Sequence, residues 1–114
     1  MEEELKMDIT AQLDAFITQG YSLEGNYVYV LELEENKYYV GQSKNYVKRI
    51  LKHTDKYNEQ KWTKKYKPLK ILELIHNKEF LERDKTLEYM RLYGWENVRG
   101  GPWVKMVITK PKML

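Results

Sequence analysis

Between residues 3 and 19 the chain reads EELKMDITAQLDAFITQ, and Leu5, Ile9, Leu13, Phe16 and Ile17 recur at helical spacing with acids between them and Gly20 beyond. Such spacing predicts an amphipathic acidic helix with the glycine as its stop. Its apolar face can pack on the rest of the domain or take up a partner. From residue 26 the period changes to two: NYVYVLELEENKYYVG alternates on both sides of EENK, a loop short enough for a hairpin. Tyr27, Tyr29, Leu31 and Leu33 then share one face of the first strand, and Val28, Val30 and Glu32 the other. In the second strand Tyr39 and Gly41 face opposite to Tyr38 and Val40, and Gly41 is expected to serve a turn that a Cβ would hinder.

A second helix is expected after Ser43 or Asn45, either of which can cap it. Tyr46, Val47, Ile50, Leu51 and Thr54 make its buried stripe, and Arg49 and His53, four residues apart, lie along one edge of that stripe. A polar, basic connection follows, DKYNEQKWTKKYKP, in which Trp62 and Tyr66 are the residues able to pin it to the core. LKILELI reads as a third strand. Asn77 can cap a third helix that Gly94 closes. On a helical wheel Phe80, Asp84, Leu87, Glu88 and Arg91 fall on one side, beside Leu81 and Leu92. Two carboxylates thus occupy a face expected to be buried, which costs several kcal/mol in order of magnitude unless they are paired or hold a metal. In the tail a Gly-Gly-Pro turn precedes Val104 to Ile108, which can add a short edge strand. The order α, β-hairpin, α, β, α predicts an α+β sandwich with a small antiparallel sheet. Residues 1–26 are expected to form a helical extension packed on a domain over residues 27–114.

With 114 residues there is room for one core. A hydrophobic share of 42% against 32% charged is that of a globular chain, and no apolar run approaches the length of a membrane span. No leader-like segment is visible, so an intracellular, unsecreted setting is expected. The absence of cysteine excludes disulfides, thiolate catalysis and cysteine-based zinc sites. The net charge of +3 conceals a strong asymmetry. Residues 1–36 carry one base and nine acids, residues 37–70 eleven bases and two acids, and residues 71–114 eight bases and six acids. The basic middle third has Tyr46, Tyr57, Trp62 and Tyr66 interleaved in it, a mixture that can pair with phosphates and offer stacking surface, or simply be a solvated lysine-rich face.

Several chemistries fail at once. His53 and His76 are too few and too far apart in sequence for a metal cluster, there is no glycine-rich phosphate loop, and no serine sits in a nucleophile elbow. Tyrosines, one arginine, one histidine and one or two misplaced acids remain, and that set suits phosphodiester cleavage. A guanidinium stabilises charge gathering on phosphate oxygens with paired hydrogen bonds that lysine cannot match, which fits Arg49. One carboxylate is an adequate anchor for Mg2+, which keeps much of its hydration, and Glu88 fits that task, with Mn2+ able to substitute. A phenol is mostly protonated at neutral pH, so a tyrosine base needs help from Arg49 or the metal.

The runs YVY, YYVG and KRILKH, followed by a helix bearing Glu88 and then by Asn97, resemble the GIY-YIG nuclease domain from about Tyr27 to Trp103. The resemblance implies a metal-dependent DNA endonuclease on a small three-stranded antiparallel sheet flanked by helices. Tyr29 matches the tyrosine of the first motif and Tyr39 that of the second. One would activate the attacking water and the other hold the phosphate, and the sequence does not assign which. Gly41 matches the motif glycine, Arg49 would clamp the scissile phosphate, His53 would relay a proton or touch phosphate, Glu88 would bind the metal and Asn97 would orient the site. Lys44, Lys52, Lys64 and Lys65 are the expected further contacts to substrate. Tyr27 stands where the family has its first glycine, and valines replace its isoleucines, a change that cores tolerate.

Taken singly, each residue has a plainer reading. Tyr29 or Tyr39 would be a strand aromatic, Arg49 a surface cation, His53 a helix-face histidine, Trp62 a core residue, and Asp84 the partner of Arg91 or Lys85. Two other classes stay open: a non-cleaving nucleic-acid-binding module, and an interaction domain using the acidic first helix. DNA is the expected partner, RNA stays open, no membrane is expected, and the first helix could support a weak homodimer or a protein partner.

Overall fold

A computed structural model describes residues 8–76 and 81–114. Its elements run α1 (Ile9–Thr18), β1 (Tyr27–Leu33), β2 (Lys37–Ser43), α2 (Tyr46–Thr54), α3 (Lys61–Lys65), β3 (Pro68–His76), α4 (Leu81–Tyr93) and β4 (Val98–Gly100). The expected α+β architecture is present, but the sheet has four strands in the order β3-β1-β2-β4 rather than three. β1 pairs antiparallel with both β2 and β3, whereas β4 lies parallel to β2, opposing Tyr38 with Val98 and Val40 with Gly100. The predicted edge strand at Val104 to Ile108 is not formed. Gly100 and Trp103 exchange backbone bonds of 2.9 and 2.8 Å, closing a turn that takes the chain off the sheet edge. At Gly100 a Cβ would meet the Val40 carbonyl and the Thr86 hydroxyl, so glycine is needed for this close approach.

Alternation divides the sheet as its sequence predicts. Tyr27, Tyr29, Leu31, Leu33 and Tyr39 face α1, α2 and α3, burying against Leu13, Ile50 and Trp62. Val28, Val30, Tyr38 and Val40 face α4, against Leu87, Tyr89 and Met90. Asp8 caps α1 by accepting from Ala11 N–H at 2.8 Å. The expected Leu5 contact, the Asn77 cap and Phe80 lie outside the described residues. Gln12 covers the open edge of β3: its Nε2 donates to Leu69 O at 3.0 Å and its Oε1 accepts from Ile71 N–H at 2.7 Å. One amide side chain thus completes a stretch of ladder that would otherwise face solvent or another strand.

The third predicted helix needs a correction of face. α4 buries Thr86, Leu87, Tyr89 and Met90, while Asp84, Glu88, Arg91 and Leu92 are exposed. The amphipathic residues decide it. Thr86 is fully buried because its hydroxyl donates to Glu82 O at 2.7 Å, and Tyr89 is buried with its hydroxyl donating to Glu73. Counting those two as polar turns the expected face away from the observed one. Arg99, from β4, is 4% exposed and spends its donors on the carbonyls of Trp95, Glu96, Val98, Lys105 and Met106. Its guanidinium lies 4.1 Å from the Trp62 ring centroid, so it ties the tail to α3.

Candidate active site

On the α2 side of the sheet, Tyr29 and Tyr39 project from adjacent strands with ring centroids 6.5 Å apart. Tyr29 stands opposite Gly41 in the β1–β2 register, and a Cβ on Gly41 would run into the Tyr29 ring. Gly41 therefore does not serve a turn, as the sequence suggests. It lies inside β2 and makes room for the phenol. Asn45 caps α2 by accepting from Lys48 N–H at 3.2 Å, while the Ser43 hydroxyl accepts from Asn45 N–H at 2.9 Å. The helix so fixed buries Tyr46, Ile50 and His53 and leaves Arg49 exposed.

His53 is 4% exposed, and its Nε2 lies 2.8 Å from the Tyr29 hydroxyl. Its ring also packs against Tyr39 at 4.8 Å between centroids. Burial, with a smaller push from the Arg49 cation, lowers the His53 pKa to about 4, so the imidazole is neutral near pH 7. Burial raises Tyr39 to about 12, with Glu82 adding to the rise and Arg49 opposing it. Tyr29 is likewise raised, by burial and by Tyr39, again against Arg49. Both phenols hold their protons near neutrality, so neither is a standing phenolate.

The carboxylate that shares this electrostatic environment is Glu82, in the first turn of α4. It couples to Tyr29, Tyr39 and Arg49, and burial raises its own pKa against the pull of Arg49. β4 accounts for its reach. That strand covers β2 only as far as Val40, and Gly100 and Gly101 pack on Thr86 and Arg83, so the start of α4 lies beside the uncovered end of β2. Glu88, the carboxylate singled out from the sequence, is exposed and bound by Lys85 at 3.1 Å, a cation that also holds Glu73 at 3.2 Å. Asn97 is engaged elsewhere too: Nδ2 donates to Tyr93 O and Oδ1 accepts from Lys37 Nζ, each at 2.8 Å. Lys37 begins β2, four residues and roughly 13 Å of strand before Gly41.

Beside Arg49 an open groove is lined by Ser43, Asn45, Lys48, Arg49, Lys52 and Asp55. Lys52 is where the sequence suggests a substrate contact, and Lys48, outside the motif, joins it one turn earlier. Lys44 is exposed in the loop that leads into α2. Lys64 and Lys65 are exposed on α3, Lys65 lying over the Tyr66 ring at 5.3 Å, and neither lines the groove. Among the described residues no cluster of three or more His, Cys, Asp or Glu side chains could hold a metal, and no helix is long and apolar enough to cross a membrane.

Fold and site together define a small α+β domain in which buried tyrosines and a histidine are gathered on one face of the sheet and an exposed guanidinium from the adjoining helix lines a cationic groove. The family model of the GIY-YIG catalytic domain matches residues 25–92, more than half of the chain, and the chain belongs to that family. Membership points to nuclease activity in general. No curated protein and no solved structure matches the chain significantly.

Proposed function

We propose that the protein is a divalent-metal-dependent endonuclease that hydrolyses phosphodiester bonds in DNA, with Tyr29, Tyr39, Arg49, His53 and Glu82 at its centre. The observation that carries this reading is the Tyr29–His53 hydrogen bond beside Arg49. A phenol bonded to a neutral imidazole can take a proton from water while passing its own to nitrogen. This assigns the proton-accepting role to Tyr29 and leaves Tyr39 to hold a phosphate oxygen. Arg49 makes no ion pair among the described residues, lies at the groove and offers paired donors to a phosphate whose charge grows in the transition state. Lys48 and Lys52 extend that contact along the backbone, with Lys44 beside them.

Glu82 takes the place first given to Glu88 as metal anchor. It is half-buried and has no salt bridge among the described residues, an arrangement whose desolvation a cation would relieve. A single carboxylate suits a cation that retains its waters, so Mg2+ fits, as does Mn2+. When bound there, the ion supplies positive charge next to the reacting phosphate. Asn97 acts at a distance, by joining Lys37 to the end of α4.

Supercoiled, branched and single-stranded DNA, incubated with the protein and Mg2+, Mn2+ or chelator, tests the reading. Metal-dependent cutting is expected, and Arg49→Ala and Glu82→Ala each reduce it by about 10²-fold or more. Salt-sensitive binding without product would instead identify a non-cleaving module.

A further inference from the structure

The Tyr29–His53 bond has a second layer behind it. His53 is held at both ring nitrogens, with Nε2 at the Tyr29 hydroxyl and Nδ1 2.9 Å from Thr63 Oγ1. Thr63 is fully buried on α3. Asn58, 3% exposed in the connection from α2, donates from Nδ2 to Thr63 Oγ1 at 2.8 Å and to His53 O at 3.1 Å. A third bond fixes which way that amide points. Its Oδ1 accepts from Gln60 N–H at 3.0 Å, and a backbone N–H can only donate, so Nδ2 is the end that faces Thr63.

Thr63 Oγ1 therefore accepts from Asn58, and two arrangements of the remaining protons are left. In the first, His53 Nδ1–H donates to Thr63 Oγ1, the Thr63 hydroxyl donates to Gln60 O at 3.3 Å, and Nε2 accepts from Tyr29. Every group is matched. In the second, Thr63 donates to Nδ1 and Nε2–H donates to the Tyr29 oxygen. The fully buried Tyr29 hydroxyl then keeps a proton with no acceptor among the described residues, the costlier arrangement.

We propose that Asn58 and Thr63 are positioning residues that hold the proton of neutral His53 on Nδ1, so that Nε2 is presented to Tyr29 as an acceptor. The inference rests on the reading of Tyr29 as the group that receives the proton of the attacking water. In that step a water O–H breaks as a new O–H forms on Tyr29. The original Tyr29 O–H breaks as N–H forms on His53 Nε2, and a P–O bond forms to the hydroxide equivalent as the P–O bond to the departing strand end breaks, its alkoxide taking a proton from solvent water. His53 ends as an imidazolium that must donate from both nitrogens. Tyr29 and Tyr39 face it from the strands, Thr63 from α3 and Arg49 from one turn earlier on α2. Arg49 opposes the new charge, so an acceptor fixed at Nδ1 is the compensating contact.

The test reads the ring nitrogens directly. In 15N-histidine-labelled protein at pH 7, with His53→Gln to assign the signals, His53 is expected as the Nδ1–H form. Thr63→Val should redistribute that tautomer and lower kcat by about 10²-fold with KM within about threefold, whereas Thr63→Ser keeps the tautomer and a kcat within about threefold of the parent. An Nε2–H form in the parent overturns the proposal, and that result stands even if Thr63→Val fails to fold. So does an unchanged tautomer or kcat in Thr63→Val, or a Thr63→Ser that falls as far as the valine variant. If the parent cuts no substrate, the nuclease reading fails, while the nitrogen shifts still decide the positioning claim.

Discussion

Gly41 is defined by the side chain standing across from it. Tyr29 lies directly opposite in the strand pair, and its ring occupies the space that any Cβ at Gly41 would take. Gly41→Ala is therefore expected to move the phenol off His53, reducing cleavage sharply and destabilising the fold by about 1–3 kcal/mol, as overpacking does. Urea titration and a cleavage assay on the same preparation check both halves. Two of the three carboxylates of α4, Glu82 and Glu88, separate as cleanly. Glu88 is solvent-exposed and serves Lys85, so Glu88→Ala should leave cleavage within about twofold and stability within about 0.5 kcal/mol. A Glu88→Ala protein as inactive as Glu82→Ala would return the metal anchor to the outer face of the helix.

Elements whose pattern repeats were legible in the sequence; those held by single contacts were not. Period two gave the hairpin and the facing of Tyr29, Tyr39 and Gly41, and helical spacing set Arg49 and His53 on α2. The fourth strand escaped because three residues are too few for a period, and β4 exists through its pairing with β2 and the turn at Gly100. Glu82, the metal anchor proposed here in place of Glu88, was hidden for a related reason. Thr86 and Tyr89 hide their polar atoms in local bonds, so a pattern of polar and apolar letters rotates α4 and selects Glu88. Asn58 and Thr63 sit in a connection that reads as polar linker, and only their mutual bonds show them as interior. Gln12 belongs to the same class, an exposed-looking amide that completes the edge of β3. Gln12→Ala removes a donor and an acceptor from that edge, so a loss of about 1–2 kcal/mol is expected. Faster amide exchange at Ile71 should accompany it, and unaltered exchange there would show that α1 seals the edge by other contacts.

At the scale of the whole molecule, the buried site couples stability to pH on both sides of neutrality. Unfolded His53 takes up a proton below about pH 6.5, whereas folded His53 resists until about 4. Between those values the unfolded chain binds more protons than the folded one, so stability rises with pH through this window, by at most about 3 kcal/mol from this group. Below about pH 4 both forms are protonated and the contribution of His53 no longer changes. Tyr39 acts with the opposite sign at the alkaline end: the folded protein keeps a phenol proton to about pH 12 that the unfolded chain releases near 10, so stability falls as pH rises across that interval. Urea unfolding of the parent and of His53→Gln from pH 4 to 8 isolates the acid limb. The glutamine variant has lost its bond to Tyr29 and is less stable throughout, but the informative quantity is the slope. Between pH 4 and 6.5 its stability should change with pH less steeply than the parent's, by up to about 1.4 kcal/mol per pH unit, the value for one proton. Parallel curves would mean that His53 titrates alike in the folded and unfolded chain, and an imidazole sealed between Tyr29 and Thr63 cannot behave that way.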